Sequence, residues 1–91
     1  MRDLQTLRGE LDGIDREIVA LFARRMAVCD EVADYKAAHG LGVPDASREK
    51  EKLSSVRAQC ESDLADDAAE LFEKLMALSR ARQVRRMEKK K

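Results

Sequence analysis

Apolar residues step through the first forty positions at alternating intervals of three and four, and the step after Leu21 lands on Arg25. An arginine is almost never buried without a partner. It either snorkels outward, pairs with an acid such as Asp30 or Glu49, sets the register of a coiled coil, or faces a ligand. Lys36 follows eleven residues later. On a helix that is ~20° around the axis and ~16 Å along it, so the two cations share a face and would close on a small ligand between them. Glu49 falls one turn before Leu53 on the next apolar stripe, with Asp45 and Arg48 at the same helix start. In the last third of the chain the Phe72–Met76 line continues through Ser79 to Gln83, so an apolar stripe ends in a hydroxyl and an amide. Each break alone has an ordinary reading, because helix ends turn polar. Three helices that each place polar groups on the inward face are harder to dismiss. Two cations, a carboxylate, an alcohol and an amide suit a small, anionic, hydroxylated ligand. Arg8 lies seventeen residues before Arg25, ~25 Å away along one straight helix, so the two cannot hold one small molecule within a single chain. In an antiparallel pair of long helices, Arg8 of one chain would approach Arg25 of the other. The alternative, a surface helix former, is left open by the spacing.

Three helices must position these groups. The first is predicted from about residue 3 to about residue 38, with a seam at Leu4, Leu7, Leu11, Ile14, Ile18, Leu21, Val28, Val32 and Tyr35. That alternation is the signature of a coiled-coil face. At ~36 residues the helix would be ~54 Å long, so it protrudes or pairs with a second chain, and dimerisation is the simpler way to bury the stripe. Gly40 is suited to a helix C-terminus and Pro44 cannot continue a helix. Asp45 stands where an N-cap belongs. The second helix is predicted over about 46–60, with Leu53, Val56 and Cys60 inward, and Glu61-Ser62-Asp63 as the break. The third is predicted over about 64–87, with Leu64, Ala68, Leu71, Phe72, Leu75, Met76 and Leu78 apolar. Residues 88–91 are expected to be a loose basic tail. The cations from Arg80 onward read as a solvated helix end suited to the negative pole of the helix dipole. Cys29, Cys60, Met26, Met76 and Met87 read as packing, and His39 as part of the helix-end turn.

Composition narrows the class. The 91 residues suffice for one domain. Eighteen Lys+Arg balance eighteen Asp+Glu, so the formal net charge is zero, which argues against a nucleic-acid binder. Aromatics are 3 % and there is one proline, too few for a strand-and-turn fold. No apolar run approaches a membrane span, and no secretory signal pattern is present. Two cysteines without C-x-x-C spacing give no disulfide framework, which points to a reduced, cytoplasmic setting. One histidine cannot by itself build a His-rich metal site or a Ser-His-Asp triad.

Leu7-Arg8, Ile14-Asp15, Leu21-Phe22-Ala23-Arg24-Arg25, Val32-Ala33-Asp34-Tyr35-Lys36, Val43-Pro44-Asp45, Arg48-Glu49 and Leu78-Ser79-Arg80 with Gln83, taken in this order, resemble the all-helical class of chorismate mutases over nearly the whole chain. No one of these motifs is specific; the ordered set is. The resemblance implies an all-α fold of three helices per chain, one long, one short and one medium, in an intertwined antiparallel homodimer with shared active sites. Residues 1–91 would form a single mutase domain. The substrate would be chorismate, rearranged to prephenate for phenylalanine and tyrosine synthesis, with no cofactor, no metal, no nucleic acid and no membrane. Arg25 and the partner's Arg8 would bind carboxylates. Lys36 and Gln83 would address the ether oxygen. Glu49 with Asp45 would take the C4 hydroxyl, and Arg48 and Ser79 would support the ring-carboxylate end. Alternatives on the same scaffold are an isochorismate pyruvate lyase or a mutase for the 4-amino analogue of chorismate. The chain also resembles the amino-terminal mutase module of longer enzymes that add prephenate dehydratase; its basic end favours a stand-alone mutase. A non-catalytic helical dimerisation module is the alternative of another class.

Overall fold

The computed structural model describes residues 1–89. It contains α1 (Leu4–Ala38), α2 (Ala46–Ala58) and α3 (Ser62–Lys89), a long, short, long series. Asp3 caps α1 by accepting the Thr6 N–H at 2.7 Å. At the other end Gly40 has φ +67°. Its N–H reaches the Ala37 carbonyl at 3.4 Å while the Leu41 N–H reaches that of Lys36 at 2.8 Å, the paired closure of a Schellman motif. The Asp45 carboxylate accepts the Arg48 N–H at 3.0 Å and starts α2. The break between α2 and α3 falls at Gln59, Cys60 and Glu61 rather than at Glu61-Ser62-Asp63. The Leu64 N–H already bonds the Glu61 carbonyl at 2.9 Å, and Asp63 suits the positive pole of the first turn.

The central element is α3. Arg25 meets Ser79, Asp30 meets Arg82 and Asp34 meets Arg86, so the second half of α1 runs parallel to the end of α3. Glu49 meets Arg80 and Arg57 meets Asp66, so α2 runs antiparallel to it. Among the described residues, α1 and α2 do not approach each other closely; both lean on α3. Met26, Ala33, Val43, Val56, Ala69 and Met76 are the buried apolar side chains. On α1 the face toward α3 is not the predicted seam, which the single chain leaves mostly exposed. Met26 and Ala33 are seven residues apart and form the stripe that faces α3. Val28 lies ~160° around the helix from Met26, and Val28 and Tyr35 are exposed together with Leu4, Leu11, Ile14, Ile18 and Leu21. On α3 the exposed Leu64, Leu71 and Leu78 likewise contribute little, and Ala69 takes the buried place.

The basic end of α3 is not a frayed tail either. Arg82 binds Asp30 through two N–H···O bonds of 2.7 and 2.9 Å, and Arg86 binds Asp34 through two of 2.8 and 2.9 Å. Planar guanidinium forks facing carboxylates favour this pairing, and helix continues through Glu88 and Lys89. Lys90 and Lys91, the rest of the expected tail, lie outside the described residues.

Candidate active site

The Schellman turn delivers the chain from α1 to α2 across the end of α3, and Val43 is buried there. Its carbonyl accepts a 2.8 Å hydrogen bond from Lys36 Nζ, which also donates to Gln83 Oε1 at 3.4 Å. With that oxygen turned to the lysine, the Gln83 amide N–H groups are what the residue has to offer a ligand. Three turns back along α1, Arg25 Nη1 donates to Ser79 Oγ at 2.7 Å, and Cys29 Sγ lies 3.2 Å from the same oxygen. Ser79 and Gln83 are the two buried polar residues of the described chain, one turn apart on α3. Arg25 therefore pairs with a hydroxyl, not with Asp30 or Glu49. At the start of α2, one Asp45 oxygen is committed to the cap, and Glu49 Oε1 contacts Arg80 Nη1.

These groups surround one cleft of about 360 Å³, within the range of small-molecule sites. Of the residues singled out from the sequence, Arg25, Lys36, Asp45, Arg48, Glu49, Ser79 and Gln83 all line it. Arg8 does not; it is exposed on the projecting half of α1. Val32, Val43, Met76 and Cys29 supply apolar and soft wall, although Cys29 reads from the sequence as simple packing. Two lining cations escaped the sequence reading as site residues. Lys52 stands one turn beyond Arg48, and Arg80 stands four residues after Met76 and three before Gln83. Both positions follow from 3.6-residue spacing, but Arg80 reads more readily as the start of a cationic helix end. The walls thus carry five cations against two carboxylates, an excess that attracts and holds a small polyanion. Among the described residues no group of three or more His, Cys, Asp or Glu is placed to hold a metal ion, and no helix is long and apolar enough to cross a membrane.

Three helices around one cationic cleft define a class of all-helical scaffold. The sequence specifies which one: residues 7–84 match the family Chorismate mutase type II, and the chain belongs to that family. It is 36 % identical over 77 residues to the T-protein of Haemophilus influenzae, covering 79 % of this chain and 20 % of the relative. A T-protein of Enterobacter agglomerans is 31 % identical over 70 residues, covering 71 % and 19 %. The chorismate mutase of Methanocaldococcus jannaschii is 29 % identical over 87 residues, covering 93 % of this chain and 88 % of the relative. The chain therefore spans about a fifth of the length of the T-proteins and most of that of the archaeal mutase. No solved structure matches it significantly.

Proposed function

We propose that this chain forms a chorismate mutase domain, catalysing the intramolecular [3,3] rearrangement of chorismate to prephenate. The observation that carries the reading is the convergence of Arg25, Lys36, Asp45, Arg48, Glu49, Ser79 and Gln83 from three helices on one cleft. The reaction breaks a C–O bond and forms a C–C bond within one molecule. It calls for no nucleophile and no redox step, only a folded substrate conformer and stabilisation of charge on the ether oxygen as it departs.

Each group has a part in that task. Arg25, braced on Ser79, binds a carboxylate, and Arg48 supports the other acidic end. Lys36 and the Gln83 amide converge on the ether oxygen. Lys36 is held in place by the Val43 carbonyl, so its ammonium needs little reorganisation when charge develops. The free oxygen of Glu49 accepts the single O–H of the C4 hydroxyl, with Asp45 beside it to position that group. Arg8 enters from the partner chain of a homodimer, which the exposed apolar face of α1 favours. The unpaired thiols of Cys29 and Cys60 fit a cytoplasmic setting.

The test is direct. The purified chain, given chorismate alone, should consume it and yield an equal amount of prephenate. Failure to do so at any chorismate concentration, with the protein folded, overturns the reading.

A further inference from the structure

The Arg80–Glu49 pair lies in the wall of the cleft and joins α3 to α2. Glu49 keeps 27 % of its side-chain surface exposed and Arg80 41 %, so both are half-sheltered and open on the cavity side. One Glu49 oxygen is taken by the guanidinium. The other has no hydrogen bond to the guanidinium and remains an acceptor. Lys52 lies one turn along α2 from Arg48 and Glu49, and also faces the cleft. Glu49 is therefore already counter-charged before any substrate arrives. A neutral hydroxyl can use the remaining oxygen without disturbing that balance. An ammonium group at the same carbon would meet Asp45 and the remaining Glu49 oxygen, but it would enter among three cations, Arg48, Lys52 and Arg80.

We propose that Arg80 is a positioning and specificity residue. It orients Glu49 for a hydroxyl donor and, with Lys52, makes this end of the cleft too positive for an amine-bearing analogue. The inference rests on the mutase reading and goes beyond it: it selects the hydroxylated substrate over its 4-amino counterpart, and names the side chains responsible. The C4 substituent takes no part in bond breaking, so its contact is made in both the ground state and the transition state. Loss of such a contact appears in KM and leaves kcat largely alone.

The experiment compares steady-state kinetics of wild type, Arg80→Met, Arg80→Lys and Lys52→Met on chorismate and on its 4-amino analogue, with a thermal melt of each protein. Wild type should favour chorismate by roughly 100-fold or more in kcat/KM, as expected when a cationic group is forced among like charges. Arg80→Met should raise the chorismate KM about tenfold with little change in kcat, and narrow the preference about tenfold. Arg80→Lys should restore both to within about threefold, since it keeps the charge. Lys52→Met leaves the α2–α3 tie intact and should still narrow the preference, which keeps the test open if Arg80→Met does not fold. The idea is overturned by a wild type indifferent to the two substrates. It is also overturned by folded Arg80→Met and Lys52→Met proteins with unchanged preference, or by Arg80→Met losing kcat on both substrates in equal proportion. A wild type that converts neither substrate defeats the mutase reading itself, and does so before any variant is made.

Discussion

Lys36 and Gln83 are 47 residues apart in sequence yet share a hydrogen bond in the wall of one cleft. What brings them together is a pair of constraints on the lysine: its own helix end supplies the Val43 carbonyl, and α3 supplies the amide oxygen. A lysine tethered at both acceptors is a fixed point charge rather than a mobile one, and catalysis by fixed charge is felt mainly in the transition state. Lys36→Ala and Gln83→Ala should therefore each lower kcat by roughly 10²–10³-fold, about 3–4 kcal/mol, by analogy with loss of one oxyanion-hole donor. Their effect on KM should be much smaller. Steady-state kinetics on chorismate measure both, and near-wild-type turnover by either variant removes the role assigned to it. Arg25 and Ser79 stand differently. Their hydrogen bond places the guanidinium before substrate arrives, so Ser79→Ala should weaken substrate binding, read as a raised KM, more than it slows the chemical step.

At the scale of elements, the turn after α1 carries the site. Gly40 at φ +67° is where an L side chain is strained, at about 1–2 kcal/mol. The Leu41 N–H bonds the Lys36 carbonyl, so disturbing the turn also disturbs the lysine. Gly40→Ala should lower the melting temperature by roughly 4–16 °C for a domain of this size and reduce kcat without touching any lining side chain. A second element-level feature is the zipper of Asp30–Arg82 and Asp34–Arg86 that fixes the register of α1 on α3. The Arg82 guanidinium, helped by Arg86, holds the Asp30 carboxyl below its usual range. A depressed folded-state pKa stabilises the fold at pH values above the ordinary aspartate range. That contribution fades as pH falls from about 4 through the lower folded-state value. Acid titration of Asp30→Asn against wild type should show the two stabilities converging in that window and separating above it. These two features also mark what the sequence could and could not convey. Helix ends are local: Gly40, Pro44 and Asp45 each act through their own backbone, and the bounds of α1 are legible to within a residue. The zipper is not local. Asp30 and Arg82 carry no sequence mark of being partners, and Met26 and Ala33 become the α3-facing stripe only once that register is set. The inward row of Met76, Ser79 and Gln83 was legible because the break in its chemistry falls on a helical period. Arg80 sits on the same row, but a run of cations masked it.

The whole molecule is extended and thin, a shape consistent with a dimer. Its extents are 56 × 27 × 14 Å and its radius of gyration is 16.7 Å, against ~12 Å for a compact chain of this length. Its accessible surface is 7273 Å², about 1,900 Å² more than a folded monomer of this mass exposes. Much of the exposed apolar area lies along α1, at Leu4, Leu11, Ile14, Ile18 and Leu21, the stretch that also carries Arg8. An apolar row of that length calls for a partner helix, and an isologous pairing of two such helices would set the Arg8 of each near the cleft of the other. Sedimentation should accordingly give twice the 10.3 kDa chain mass, and Ile18→Glu should convert the assembly to poorly folded monomer. The sharper consequence concerns function. Arg8→Glu and Arg25→Ala chains should each be inactive alone. Mixed in equal amounts under exchange, half the dimers become hybrid, and each hybrid regains one site with an intact Arg25 and an intact partner Arg8. Recovery should reach about a quarter of wild-type activity. An Arg8→Glu protein that stays active alone would mean that the cleft is complete within one chain and that Arg8 serves only the surface of its helix. Inactive parents whose hybrids form, as seen by tagged co-purification, yet show no recovery would remove the sharing of sites between chains.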